Sequence, residues 1–277
     1  MMSLGGHASM VHSTKNRAGI RRASKAMWDA RTPAERDAIG KKSLEKRNEW
    51  RYGVDLREDQ RQLILGSLMG DMSIGYANPR SSFPRVVVSH SIAQAEYVQW
   101  KYSMLKNLVS TPPRTMANGG WGSPVVRFAT MSLPCFTPIH DLVKKGAETR
   151  FSEEWLKEVT SPVALAVWYL DDGSLSKQAS CKYQKVYGHN IQISLGDSTL
   201  EEMAMVRAWL EREWGIRVRS GHYEYPRQGR SSPKRESVIR IHNTADVDAF
   251  LEIVRPTALK AGMDYKVTRD YTYTTSQ

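Results

Sequence analysis

The 277-residue chain has only two cysteines, Cys135 and Cys181, too few for a disulfide framework and without the paired spacing of a zinc site. Such sparse cysteine usage suits a reducing compartment. No stretch approaches the ~20 apolar residues of a membrane span, and no apolar core of a cleavable leader follows Met1, so a soluble intracellular protein is expected. The seven histidines form no His-Glu-x-x-His arrangement, and neither a phosphate loop nor a dinucleotide glycine fingerprint is present. His140 and His189 read as structural or surface residues. Acidic side chains are also in deficit: 29 Asp and Glu face 40 Lys and Arg, a formal charge of +11 with pI about 9.6, a balance that favours a polyanionic partner. What the chain does have is length and 40% hydrophobic residues, enough for one large or two small cored domains.

The positive charge is uneven. Residues 1–51 carry a net +7, leaving +4 for the rest, and contain a faint repeat in which Arg17-Ala18-Gly19-Ile20-Arg21-Arg22-Ala23-Ser24 is echoed by Arg36-Asp37-Ala38-Ile39-Gly40-Lys41-Lys42-Ser43. Thr32-Pro33-Ala34-Glu35 spells a helix start. Neither copy can bury a core alone, so short helices that order on DNA are expected.

From residue 52 the pattern becomes that of a globular domain. Asp55 with Glu58 predicts a capping pair for a helix ending at Gly70; Pro84-Arg85-Val86-Val87-Val88-Ser89 reads as a strand, and Ile92 to Val109 as a helix stopped by Pro112-Pro113. A strand at Val125 to Phe128, a helix near Ile139 to Val143 and a polar connector over 146–158 complete a first half, 52–158. The second half, 159–277, repeats the order: a helix opened by Ser161-Pro162 and ended by a permissive Gly173, a strand at Ile191 to Leu195, a helix from Ser198 to Trp214 with Glu201 in capping-box spacing, strands near 216–223 and 238–242, and a helix from Ala245 through Val254. A duplicated α+β fold with approximate two-fold symmetry follows.

Each half opens on the same word. Ile64-Leu65-Gly66-Ser67-Leu68-Met69-Gly70-Asp71 and, 101 residues later, Leu165-Ala166-Val167-Trp168-Tyr169-Leu170-Asp171-Asp172 are apolar helical runs that end in a carboxylate. Gly66 and Gly70 lie four apart, on one helical face, and allow close approach of a second helix. Packed side by side, the runs would bring Asp71 and Asp172 together, two repelling carboxylates whose cost a divalent cation removes. Mg²⁺ suits such a site because it needs only one or two carboxylates plus substrate phosphates. Asp71 and Asp172 are the expected ligands, with Asp171 supplying its backbone carbonyl.

These two words resemble the motif of the LAGLIDADG homing endonucleases, in the branch where one chain carries two copies, and the likeness extends over roughly residues 55–270. Gln94-Ala95-Glu96-Tyr97-Val98-Gln99-Trp100-Lys101 is similar to the family's post-strand helix, and Met263-Asp264-Tyr265-Lys266 to the place of an active-site lysine. The resemblance implies two αββαββα halves with saddle-shaped antiparallel sheets, packed through the motif helices. It implies a monomeric, site-specific endonuclease that cuts both strands of a long asymmetric DNA target, leaving 3′ overhangs, as in intron homing. Mg²⁺ would be the cofactor, Mn²⁺ a substitute and Ca²⁺ an ion that binds without supporting cleavage. Gly70 and Asp171 would add backbone carbonyls to the metal site, Lys266 would polarise water or stabilise the pentacoordinate charge, and Arg150 would be its first-half counterpart. Strand residues Arg85, His90, Arg127, Gln192, Arg219 and Arg240 are candidates for base contacts, and Arg227, Arg230, Lys234 and Arg235 for phosphate contacts. The host would be bacterial or phage cytoplasm, or an organelle for an intron-encoded protein. A self-splicing intein is not expected, since the ends lack the terminal Cys or Ser and His-Asn pair. The rivals are a maturase acting on intron RNA and a non-cleaving DNA-binding regulator of the same fold.

Overall fold

The computed structural model describes residues 23–117, 123–180, 185–225 and 234–269, which fall into two compact units, one ending at Gly53 and one beginning at Val54. In the first, residues 23–29 are helical and α1 spans Pro33–Tyr52. α1 starts as its sequence predicts: the Thr32 hydroxyl accepts from the Glu35 N–H at 3.3 Å, and the Glu35 carboxylate accepts from the Thr32 N–H at 2.8 Å. None of the unit's described residues is fully buried, and Trp28, Ile39, Trp50 and Tyr52 are exposed, the character of a helix that packs no apolar stripe of its own. The second copy of the short repeat lies inside α1; most of the first lies outside the described residues.

The second unit begins with α2 (Glu58–Leu68), β1 (Ser73–Tyr76), β2 (Pro84–Ser91), α3 (Ala95–Leu105), β3 (Arg114–Met116), β4 (Val125–Ala129) and α4 (Thr137–Val143). After a hairpin of β5 (Lys144–Lys145) and β6 (Glu148–Thr149) and the short α5 (Glu153–Glu158), the order recurs. It runs α6 (Pro162–Asp172), β7 (Gly173–Ser180), β8 (Lys185–Ser194), α7 (Leu200–Trp214), β9 (Arg219–Tyr225), β10 (Lys234–Ile241) and α8 (Thr244–Lys260). The two four-stranded sheets are antiparallel with matching orders, β1-β2-β4-β3 and β7-β8-β10-β9, as a duplication requires.

α2 and α6 pack against one another at the centre of this unit. Residues Ala164 through Leu170 are all fully buried, so α6 is apolar on every side and sits in the core without a solvent face. Gly66 is what lets it approach: a Cβ there would overlap the backbone of Ala164, and one at Gly70 would lie 2.5 Å from the Asp171 Cβ.

Several local expectations shift. α2 is capped at Arg57, whose N–H donates to Gln60 Oε1 at 3.2 Å, and not by Asp55 with Glu58. α7 is capped by Thr199 with Glu202, one residue past the predicted pair, because Ser198 spends its hydroxyl on the Leu195 carbonyl. The supposed polar connector is part of the core: Phe151 stacks on Trp155, and Trp155 and Leu156 are buried, since a charged segment can still present one apolar side. β1 and β7, which leave directly from the motif helices, were not legible because the motif's apolar run masks the change of period. Gly173 has φ −92° and ψ 158°, extended and open to any residue, so conformational freedom is not its purpose. It is small because a Cβ would strike the Tyr169 side chain and carbonyl.

Candidate active site at the ends of the motif helices

The two predicted carboxylates stand at the ends of the packed motif helices. Asp71 follows α2, its side chain about half exposed, and Asp172 is the last residue of α6. Burial, then the charge of Asp71, then that of Asp171, push the Asp172 carboxyl up to about 8. At Asp71 burial also pushes upward, but the hydrogen bond and charge of His90, with Lys101 and Lys266 beyond, outweigh it and hold the carboxyl below its ordinary value.

His90 is therefore not a base reader. It stands at an inward position of β2, in phase with buried Val86 and Val88, and is 4% exposed. Its Nδ1 lies 3.3 Å from Asp71 Oδ2, and its Nε2 3.3 Å from the Lys101 ammonium. Lys101 is 0% exposed and donates to both Asp171 carboxylate oxygens, at 2.7 and 2.9 Å; the Tyr97 hydroxyl donates to Asp171 Oδ1 at 2.7 Å. Lys101 had a signal in the sequence. It shares the buried face of α3 with Tyr97, Val98 and Leu105, and a lysine within an apolar stripe implies a buried partner.

The predicted lysine and arginine part company. Lys266, in the turn Asp264–Lys266, reaches the site and donates to the carbonyls of Leu170 at 2.6 Å, Gly173 at 2.9 Å and Asp171 at 3.5 Å, capping α6 where its dipole is negative. Burial lowers its pKa, against the pull of Asp171, Asp172 and Asp71. Arg150 is committed elsewhere, to Glu148 at 2.5 Å, Glu202 at 3.5 Å and Asp197 at 3.9 Å, because that acidic trio surrounds it; the first-half cation that reaches the carboxylates is Lys101. The Asp171 carbonyl, expected on the metal, accepts from Lys266, while its fully buried side chain carries the contacts above.

The donor set suits a hard divalent cation. Asp71, His90 and Asp171 each present a ligand-type atom, all within 4.8 Å of one another, and Asp172 adds a carboxylate whose charge is disfavoured until something positive arrives.

Arg85, Arg127, Gln192 and Arg240 alternate with buried neighbours and so lie on the sheet faces turned from the core, and Arg219 joins them by its register opposite Arg240. Arg114 stands directly opposite Arg127 across β3 and β4, and Arg219 opposite Arg240 across β9 and β10. Facing like charges destabilise a sheet until an anion neutralises them. Arg240 also donates to Gln192 at 2.8 Å and lies 3.6 Å over the Tyr223 ring. Arg227 and Arg230 fall outside the described residues, as do the side chains of Lys234 and Arg235. Among the described residues no helix is long and apolar enough to cross a membrane.

The fold is similar to that of the homing endonuclease I-WcaI bound to its DNA recognition sequence, with TM-score 0.64 and 17% identity, covering 78% of this chain and 89% of that one. In sequence the chain is similar to Protein RecA of Mycobacterium shimoidei, 30% identical over 215 residues that make up 76% of this chain and 47% of that protein. It is also similar to Protein RecA of Mycobacterium leprae (strain TN), 28% identical over 222 residues, 76% of this chain and 28% of the relative. The chain thus matches about half the length, or less, of these relatives. The model of the LAGLIDADG DNA endonuclease family matches residues 61–231. Because that stretch takes in both motif helices, both carboxylates and most of both sheets, this chain belongs to the LAGLIDADG DNA endonuclease family.

Proposed function

We propose that the protein is a monomeric, site-specific DNA endonuclease that uses Mg²⁺, with Mn²⁺ as a substitute, to cut both strands of a long asymmetric target and leave 3′ overhangs. The observation that supports this reading is that Asp71 and Asp172 stand at the ends of helices packed through Gly66, with burial and the Asp71 charge pushing the Asp172 carboxyl up to about 8. That arrangement costs the fold stability without a cation, and a DNA-binding regulator would have no use for it.

A divalent cation held by Asp71 and Asp172 would supply charge neutralisation at the scissile phosphate and activation of the attacking water. The chain's own groups prepare the place. His90 fixes the Asp71 carboxylate from beneath, and Lys266 ties down the carbonyls that lead into and out of Asp172. The outward arginines supply phosphate and base-edge contacts, and because the two halves present different side chains, the target is asymmetric. The basic first unit binds flanking duplex and adds affinity as a tethered second site.

The test is cleavage of a randomised duplex library in Mg²⁺, with EDTA and Asp71→Asn as controls. One preferred duplex cut with 3′ overhangs, lost in both controls, supports the reading; tight duplex binding with no cutting overturns it in favour of a regulator, and selective binding of intron RNA in favour of a maturase. On the selected duplex, Arg127→Gln should lower the slope of log affinity against log salt by about 1, as removal of one phosphate contact does. An unchanged slope with altered sequence preference would instead make Arg127 a base reader.

A further inference from the structure

Just before the carboxylate that both motif words share, the first has Gly70 and the second Asp171. In the folded protein these two residues meet. The Asp171 Cβ occupies the space that a Cβ on Gly70 would need, so the bare glycine is the hole that admits the aspartate. Beyond it the carboxylate, with a side chain 0% exposed, collects four donations: two from Lys101, one from Tyr97 and one from the backbone N–H of Asp71 at 3.3 Å. Lys101 also lies against His90, which holds the other end of Asp71. The metal-ligating residue of the first half is thus gripped at its main chain by the second half's motif and at its side chain by His90, with one buried ammonium joining both grips.

At the corresponding described positions of the second half the side chains are different. The buried positions of α3, Tyr97, Val98, Lys101 and Leu105, recur with the same spacing in α7 as Glu202, Met203, Val206 and Leu210. Valine stands where lysine would, and on the inward side of β8, two residues beyond Ile193, Leu195 stands where His90 follows Val88. A buried ion pair is a poor source of net stability, since well-packed apolar residues of the same volume do as well or better. Its one-sided placement against Asp71 points to a different use.

We propose that Asp171 is a positioning residue: held by Lys101 and Tyr97, its carboxylate clamps the Asp71 main chain across the interface and so sets the geometry of the metal site on the Asp71 side. This rests on the metal-site reading above. Two double variants remove the buried charges together and differ in whether residue 171 still offers an acceptor to the Asp71 N–H and the Tyr97 hydroxyl. Lys101→Met with Asp171→Asn retains a carbonyl oxygen there; Lys101→Met with Asp171→Leu does not. The probe is Mn²⁺ alone, titrated into the full chain and followed by electron paramagnetic resonance of the free ion, with thermal unfolding alongside. The Asn pair should bind Mn²⁺ within about threefold of the parent and the Leu pair 10–100-fold more weakly, the usual cost of losing a group behind a metal ligand, at similar unfolding midpoints. Equal affinities in the two pairs overturn the clamp: both near the parent makes Lys101 and Asp171 a packing pair, and both equally weak makes the Asp171 charge itself a ligand. If either pair fails to fold, Tyr97→Phe, which takes one donor from the same carboxylate, decides: roughly threefold weaker Mn²⁺ binding supports the clamp, and unchanged binding overturns it. A parent that binds no Mn²⁺ overturns the metal-site reading itself.

Discussion

Asp172→Asn should make the metal-free protein more stable while abolishing cleavage. The half-buried carboxyl is pushed up to about 8 from the ordinary carboxylate value of 3.8 by burial and by the charges of Asp71 and Asp171. Below about pH 4 the group is protonated in both folded and unfolded chains and costs nothing. Between there and pH 8 the unfolded chain ionises while the folded one keeps its proton, so stability falls as pH rises, until the folded carboxyl itself ionises. With no screening, a carboxyl raised that far would correspond to about 6 kcal/mol at ~1.4 kcal/mol per pH unit. Asp172 retains some solvent access, and discounting for screening leaves about 2–3 kcal/mol. Thermal melts of the second unit's transition at pH 5 and pH 8 measure it. The parent should lose stability over that interval and the Asn variant should lose much less, melting about 4–10 °C above the parent at pH 8. Cleavage of the selected duplex should drop by at least ~10³-fold, because removing a metal ligand forfeits several kcal/mol of transition-state stabilisation. A variant that melts with the parent's pH dependence would mean that the Asp172 carboxyl is not raised by its burial and its acidic neighbours.

The largest structural effect is expected at Gly66. A Cβ there would overlap the carbonyl carbon, oxygen and Cα of Ala164, all main-chain atoms at the first turn of α6. Neither side can yield as a flexible side chain would, because Ala164 to Leu170 are locked on all sides in the core. Gly66→Ala should therefore cost more than ordinary overpacking, about 3 kcal/mol or above, enough to unfold a protein of typical stability. Denaturant unfolding of the purified variant measures this, with Gly75→Ala as control: a Cβ at Gly75 meets nothing within 4 Å, and the control should differ little from the parent. Similar midpoints for the two variants would mean that the motif helices can separate without loss.

Much of the fold was legible because the signals are local or periodic. The capping pair at Thr32 and Glu35, the Ser161-Pro162 helix start and the alternation in β2 are each settled within a few residues, and the repeated element order implied matched sheets. The close approach of the motif helices was legible too, since Gly66 and Gly70 on one helical face leave room for a second helix. The helix caps at Arg57 and Thr199 slipped because neighbouring serines, threonines and carboxylates offer competing caps, and the choice depends on what each hydroxyl meets elsewhere.

What only the tertiary structure decided is which charged residue serves which partner. Arg150 and Lys101 are both basic, but Arg150 is taken by Glu148, Glu202 and Asp197, groups up to 52 residues away in sequence, while Lys101 is carried by α3 onto Asp171. His90 has the composition of a base reader in a strand, but the inward phase of β2 buries it against Asp71. The sequence by itself determined the two motif helices, their contact and the carboxylates at their ends, because covalent order and helical period suffice for those. Long side chains reach several ångströms in any of several directions, so the circuit of Lys101, His90, Tyr97 and Asp171 behind those carboxylates came only from the packing that closes around them.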